Sequence, residues 1–224
     1  MIVVVDYGMG NLRSVTKALE HVSNETVLVS RNADEILAAD RVVFPGQGAA
    51  RDCMKELQKY QLVDVIRTAA ASKPFLGICM GMQVLMQYSE ENEGIDCLGW
   101  YQGQVKAFKN NIPTQQTVND QQSVLKIPQM GWNKIEHKNA HPLWQGIESG
   151  SRFYFVHSYY VAPKDSALIT GQTNYGIDYA SAIAKDNIFA IQAHPEKSAD
   201  DGLQLLKNFT QWDGQWDGAK ENIQ

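Results

Sequence analysis

The run Pro74-Phe75-Leu76-Gly77-Ile78-Cys79-Met80-Gly81-Met82-Gln83 carries an apolar strand, Pro74 to Ile78, straight into a helix expected from Met80 to Tyr88. Glycines at i−2 and i+2 of Cys79 give the backbone room for a sharp strand-to-helix elbow, the geometry that displays a nucleophile in hydrolases. A thiol reacts as the thiolate, and unpaired N–H groups at a helix start favour that anion. The competing reading is an inert buried cysteine at a packed strand end.

Outward from this elbow, the first half alternates short β-branched runs with helical stretches. Strands are expected at Ile2 to Val5, Thr26 to Val29 and Arg41 to Phe44, and helices around Leu12 to His21, Asp34 to Leu37 and Arg51 to Ala71. This is the βαβ rhythm of a parallel sheet. After Gly99 short strands separated by turn residues favour mixed or antiparallel pairing, at Gln104 to Phe108, Val124 to Ile127, Asn133 to Glu136, Arg152 to Tyr160, Ala167 to Thr170, Ala180 to Ala184 and Ile188 to Gln192. The polar stretch Lys109 to Gln122 reads as a mobile hairpin or loop. A last helix is expected from Ala199 to Trp212. The duplicated Gln211-Trp212-Asp213-Gly214 and Gln215-Trp216-Asp217-Gly218 open a tail, frayed or docked through a tryptophan. One domain is expected over 1–213, with a flexible tail at 214–224.

Composition fits that picture. In 224 residues, 44% are apolar and 20% charged, enough for a sizeable core. A net charge of −5 without like-charge blocks gives no reason to expect nucleic acid or a membrane as partner. The three cysteines, Cys53, Cys79 and Cys97, are a poor disulfide framework and point to a reducing, cytoplasmic setting. Met1-Ile2-Val3-Val4-Val5 reads as a first strand rather than a leader, and no apolar run reaches membrane-spanning length.

Two further runs complete a constellation. In Gln192-Ala193-His194-Pro195-Glu196-Lys197-Ser198, residues i and i+2 of extended chain share a side, so Glu196 can reach and orient His194. Alone it is an ordinary loop, and no second histidine stands at ligand spacing to suggest a metal. Pro45-Gly46-Gln47-Gly48 follows the strand ending at Phe44; its backbone N–H groups, with that of Met80, could form an oxyanion hole. All three runs end separate strands, where open α/β sheets place their sites.

Together these runs resemble the class I, triad-type glutamine amidotransferase family, over essentially the whole chain. The resemblance implies a flavodoxin-like α/β fold: an open mixed, mostly parallel sheet with helices on both faces. It further implies a Cys79-His194-Glu196 triad, an oxyanion hole from the backbone of Gly46, Gln47 and Met80, and no cofactor or metal. The L-glutamine substrate would be held by Gly48, Gln83, His157, Ser158 and Tyr159. Within the family, the runs Asp6-Tyr7-Gly8-Met9-Gly10-Asn11, Pro128-Gln129-Met130-Gly131-Trp132-Asn133 and Phe153 to Tyr159 are most similar to glutaminase subunits that serve imidazole glycerol phosphate synthase in histidine biosynthesis. That similarity implies a heterodimer with a (β/α)8 cyclase subunit, contacted by Asn11, Trp132 and Lys197.

Three positions depart from that pattern, Gln47 for Val, Gln129 for His and Ala193 for Phe. Gln47 bears on the oxyanion loop; the other two read as packing or interface variation. Gly8-x-Gly10 lacks a third glycine, Arg13 standing there, so a dinucleotide loop is rejected. His157, in an aromatic run, is given no acid-base role, and Met82 and Met86 read as core packing. The alternatives left open are a different ammonia-using synthase as partner, and a silent scaffold of the same fold.

Overall fold

The computed structural model describes residues 1–112, 116–118, 121–123, 125–216 and 218. The first half folds as β1 (Ile2–Val5), α1 (Leu12–Val22), β2 (Val27–Ser30), α2 (Ala33–Ala38), β3 (Arg41–Gly46), α3 (Ala50–Lys59), α4 (Val63–Ala70), β4 (Phe75–Cys79), α5 (Met80–Gln83), β5 (Met86–Ser89) and β6 (Ile95–Asp96). There follow β7 (Tyr101–Ala107), α6 (Phe108–Asn111), β8 (Gln116–Val118), β9 (Gln121–Ser123), β10 (Gln129–Lys134), β11 (Glu136–His137), β12 (Arg152–His157), β13 (Tyr159–Pro163), β14 (Ile169–Asn174), β15 (Asp178–Lys185), β16 (Ile188–Ile191) and α7 (Ala199–Gln211).

The main sheet has the order β2-β1-β3-β4-β16-β15-β13-β7-β5-β6. Its parallel part, β2-β1-β3-β4-β16, holds neighbouring C-terminal strand ends side by side. Beyond β16 the sheet continues through antiparallel pairs as far as β7, which pairs parallel with β5, and β6 closes the edge antiparallel. This is the open mixed α/β sheet expected, and alternation along its strands divides the core in two. Val3, Val5, Val42 and Phe44 pack with Ile36, Cys53, Leu57 and Ile66 of α2, α3 and α4 on one face. Ile2, Val4, Val43 and Ile78 pack with Val15 and Leu19 of α1 and Leu205, Leu206 and Phe209 of α7 on the other. Each such fully buried large side chain contributes roughly 1.5–3 kcal/mol of transfer free energy, which is why the strands read as unbroken apolar runs.

Several expected elements come out differently. The single helix from Arg51 to Ala71 is two, because Gln61 turns left-handed at φ 57° and drops Leu62 into the core. The helix expected from Met80 to Tyr88 stops after one turn, and Met86–Ser89 is the strand β5. Val84, Leu85 and Met86 are all fully buried, so the run has no polar face to present as a surface helix and pairs with β6 and β7 instead. Met82 and Met86 are both core residues, though on different elements.

No strand covers 125–127; it begins at Gln129, after Pro128, which has no N–H to donate to a ladder. Val124 lies outside the described residues. The run from Arg152 to Tyr160 breaks at Ser158, β12 pairing with β10 and β13 with β7 and β15. Within the polar stretch β8 and β9 form an antiparallel hairpin; 113–115, 119–120 and 124 lie outside the described residues.

The start of the tail is docked. Trp212 is buried and donates its indole N–H to the Gln215 carbonyl at 2.9 Å, and the Trp216 ring sits 4.8 Å from that of buried His141. Positions 217 and 219–224 lie outside the described residues.

Candidate active site

Cys79 ends β4 at φ 56° and ψ −108°, a left-handed conformation that costs a non-glycine residue about 1–3 kcal/mol. The flanking glycines explain how the chain turns there. A Cβ on Gly81 would overlap the Phe44 carbonyl oxygen, and one on Gly77 would come within 2.7 Å of the Gly81 carbonyl oxygen. Any side chain at either position would push the elbow off the sheet. Strain is thus spent on presenting the thiol, which is 6% exposed at the floor of a cleft of about 610 Å³.

The parallel pairing of β4 with β16 continues Ile78 opposite Ile191, so the chain leaving β16 brings His194 beside the elbow. Its backbone is tied there: the His194 N–H donates to the Tyr154 carbonyl, and Ser198 Oγ donates to the His194 carbonyl at 2.6 Å. His194 Nδ1 lies 2.9 Å from Glu196 Oε1, with side chains 6% and 1% exposed. Burial opposes the charged ring, but hydrogen bonding and charge from Cys79 and Glu196 outweigh it, and the pKa is pushed up from 6.5 to about 10. Nε2 has no hydrogen-bond partner among the described residues and is free to face the sulfur. The ring can therefore hold a proton beside the sulfur while Glu196 holds the ring. Cys53 and Cys97 offer no rival nucleophile, burial pushing each thiol up to about 12.

The remaining expected residues divide. Gln47, Gly48, Met80, Gln83, His157, Ser158, Tyr159 and Lys197 line the cleft, and Gly46 ends β3 directly opposite Cys79 in register. His157 is a largely buried ring whose Nδ1–H donates to the Tyr159 carbonyl at 2.7 Å. Burial pushes its pKa down to about 4, so its part is to shape the Ser158–Tyr159 backbone. Asn11 caps α1, accepting from the Ser14 N–H and donating to its Oγ at 2.7 Å. Trp132 is 44% exposed on β10, with Met130 and Ile127 exposed alongside, so it is no core aromatic. Asn11 and Trp132 do not line the cleft; Gly10 and Pro128, close to them in the chain, do.

Of the departures, Gln129 is buried against the Tyr179 hydroxyl at 3.0 Å and Ala193 is fully buried, both packing positions, whereas Gln47 is exposed on the cleft.

Three features were given no part in the site by the sequence. The Gly8-Met9-Gly10 loop walls the cleft. Gln192, next after β16, is fully buried with Nε2 3.6 Å from Cys79 Sγ. Among the described residues Glu91 is the one acidic residue lining the cleft, and its Oε2 accepts from the Ala50 N–H at 2.6 Å. Gln192 becomes visible only through the pairing of β16 with β4, since it follows the residue opposite Ile78; Glu91, in an acid-rich turn, gave no signal. Among the described residues no group of three or more His, Cys, Asp or Glu side chains could hold a metal ion, and no helix is long and apolar enough to cross a membrane.

Chemically, a thiol, an imidazole that can give and take its proton, and a carboxylate fixing that imidazole suit acyl transfer through a thioester. The cleft's Glu91 adds a partner for a cationic end of the substrate. The family model described as glutamine amidotransferase class-I matches residues 3–212. A protein of Hydrogenovibrio crunogenus named imidazole glycerol phosphate synthase subunit HisH is 54% identical over 96% of this chain and 98% of its own length. One of the same name from Pseudomonas putida is 49% identical over 96% and 99%. A solved structure described as a glutamine amidotransferase superposes with a TM-score of 0.66 at 16% identity, covering 94% of this chain and all of that one.

Proposed function

Because the chain belongs to the glutamine amidotransferase class-I family, we propose that it is the glutaminase subunit of an imidazole glycerol phosphate synthase, releasing ammonia from glutamine for histidine biosynthesis. The observation that carries the chemistry is Cys79 and His194 lining one cleft, with Glu196 buried behind the His194 ring. The near-full-length identity to two subunits of that synthase supports the acceptor pathway.

In this reading Cys79 Sγ attacks the side-chain amide carbon of glutamine. The C–N bond breaks as His194 delivers its proton to the departing nitrogen, leaving ammonia and a glutamyl thioester. Water, deprotonated by His194, then attacks the thioester; glutamate leaves and the sulfur recovers. The oxyanion at each stage is held by backbone N–H groups of Gly46, Gln47 and Met80. Gly48, Gln83 and the His157-Ser158-Tyr159 backbone seat the amino-acid end, with Glu91 facing its ammonium.

The relatives' names as subunits of a synthase support a partner that uses the ammonia, in this reading a cyclase with a (β/α)8 barrel in a cytoplasmic heterodimer. Asn11, Trp132 and Lys197 belong to the docking face, which the exposed Ile127 and Met130 extend. The domain is taken as 1–213, with a C-terminal tail from Gly214. Reconstitution with a candidate cyclase tests this. Glutamine hydrolysis should be weak alone and strong in the complex with nucleotide present. Cys79→Ala should abolish glutamine-dependent synthesis and spare synthesis from supplied ammonia; loss of both, or of neither, rejects the assignment.

A further inference from the structure

The polarity of the groups around Cys79 can be fixed from a single backbone carbonyl. The Tyr159 carbonyl can only accept, so the Gln83 side-chain atom 3.1 Å from it is Nε2. That same nitrogen lies 2.9 Å from the Gln192 side chain, which must present Oε1 to it. The other end of the Gln192 amide is therefore NH2, and it faces Cys79 Sγ at 3.6 Å. Gln192 is fully buried, so no water competes for that donor. The register explains its position, since β16 pairs Ala190 with Gly77 and Ile191 with Ile78, putting the next residue beside the elbow.

We propose that Gln192 is a further catalytic residue, an N–H donor to the Cys79 sulfur aimed by Gln83 and the Tyr159 carbonyl. The inference rests on Cys79 being the nucleophile. The sulfur carries negative charge twice in the cycle, before attack on the amide and again when it leaves the thioester, and a donor bonds a charged acceptor more strongly than a neutral one. The same chain reaches the substrate. With Nε2 committed to Tyr159 and Gln192, Gln83 keeps Oε1 buried without a partner, an acceptor for a substrate N–H. One string of amides thus links the seat of the substrate to the reacting sulfur.

The test is the rate at which iodoacetamide alkylates Cys79 in the complex with its cyclase at neutral pH, followed by peptide mass spectrometry. Gln192→Glu keeps an acceptor for Gln83 but turns an anionic oxygen toward the sulfur, and alkylation should slow by about 10- to 100-fold. Gln192→Met keeps the volume and loses the donor, and should slow it about tenfold. Co-elution with the cyclase on size-exclusion chromatography and a Tm close to the wild-type value show that each variant is folded and assembled. Wild-type alkylation in an assembled Gln192→Met variant overturns the proposal alone. Glutamine turnover that survives Cys79→Ala overturns the parent reading and this proposal with it.

Discussion

His194 Nδ1 and Glu196 Oε1 lie 2.9 Å apart on a stretch where one proline separates them, with both side chains almost wholly removed from water. A charged pair so buried persists only because each member satisfies the other; removing one charge leaves the second uncompensated. The carboxylate therefore acts on the reaction through the ring it holds.

Glu196→Gln should keep the shape and lose the charge. A drop in kcat on the order of 10²- to 10⁴-fold is expected. The alkaline limb of the glutaminase profile should also move to lower pH, because Glu196 is one of the two groups that push the His194 pKa up to about 10 against burial. Since the folded value lies above the unfolded 6.5, the stability from this proton is complete below pH 6.5 and is lost as pH rises toward 10. The variant's Tm deficit should accordingly be largest at mildly acidic pH and shrink on the alkaline side. A deficit that grew with pH would contradict the pairing.

Tyr7→Phe addresses the oxyanion loop. Tyr7 is wholly buried, its hydroxyl donates to the Pro45 carbonyl at 2.9 Å, and a Cβ on Gly46 would overlap that hydroxyl. It thereby fixes the peptide that leads into Gly46, Gln47 and Gly48. Removing the donor strands a buried carbonyl, at about 1–3 kcal/mol of stability. Glutamine turnover in the complex should fall about tenfold or more if the loop N–H groups lose alignment, while iodoacetamide labelling of Cys79, which needs no oxyanion hole, stays at the wild-type rate. A lower Tm with unchanged kcat would leave Tyr7 a packing residue only.

The elbow was readable because its glycines answer to local sterics: what excludes a side chain at Gly77 and Gly81 is the turn itself and the adjoining strand. The His194–Glu196 pair was readable for a similar reason, being two residues apart on extended chain. Where pairing across the sheet decides, sequence alone did less well. Val84-Leu85-Met86 is apolar throughout, and a short apolar run is ambiguous between helix and strand until its neighbours are known. Gln192 looked like a polar strand end, and only its position across from the elbow shows it beside the sulfur. Glu91 sits among Glu90, Asn92 and Glu93, a composition that reads as a solvated turn.

Glu91 itself yields a sharper expectation. Asn92 and Glu93 turn left-handed at φ 51° and 68°, and Arg51 Nη2 donates to the Asn92 carbonyl at 2.6 Å, so the turn is held against α3. The carboxylate accepts from Ala50 through one oxygen, leaving the other for a ligand in the cleft. Burial raises its pKa above 4.5 while the Ala50 N–H acts against it. As pH falls through that raised value the carboxylate is protonated and its hold on an ammonium is lost, so the KM for glutamine should climb on the acid side. Glu91→Gln should raise KM by about 10- to 100-fold at neutral pH and flatten that climb. With a substrate whose α-nitrogen is acylated, wild type and variant should differ little, because no ammonium remains to pair. Equal penalties on both substrates would place Glu91 in the support of α3 alone and not in recognition.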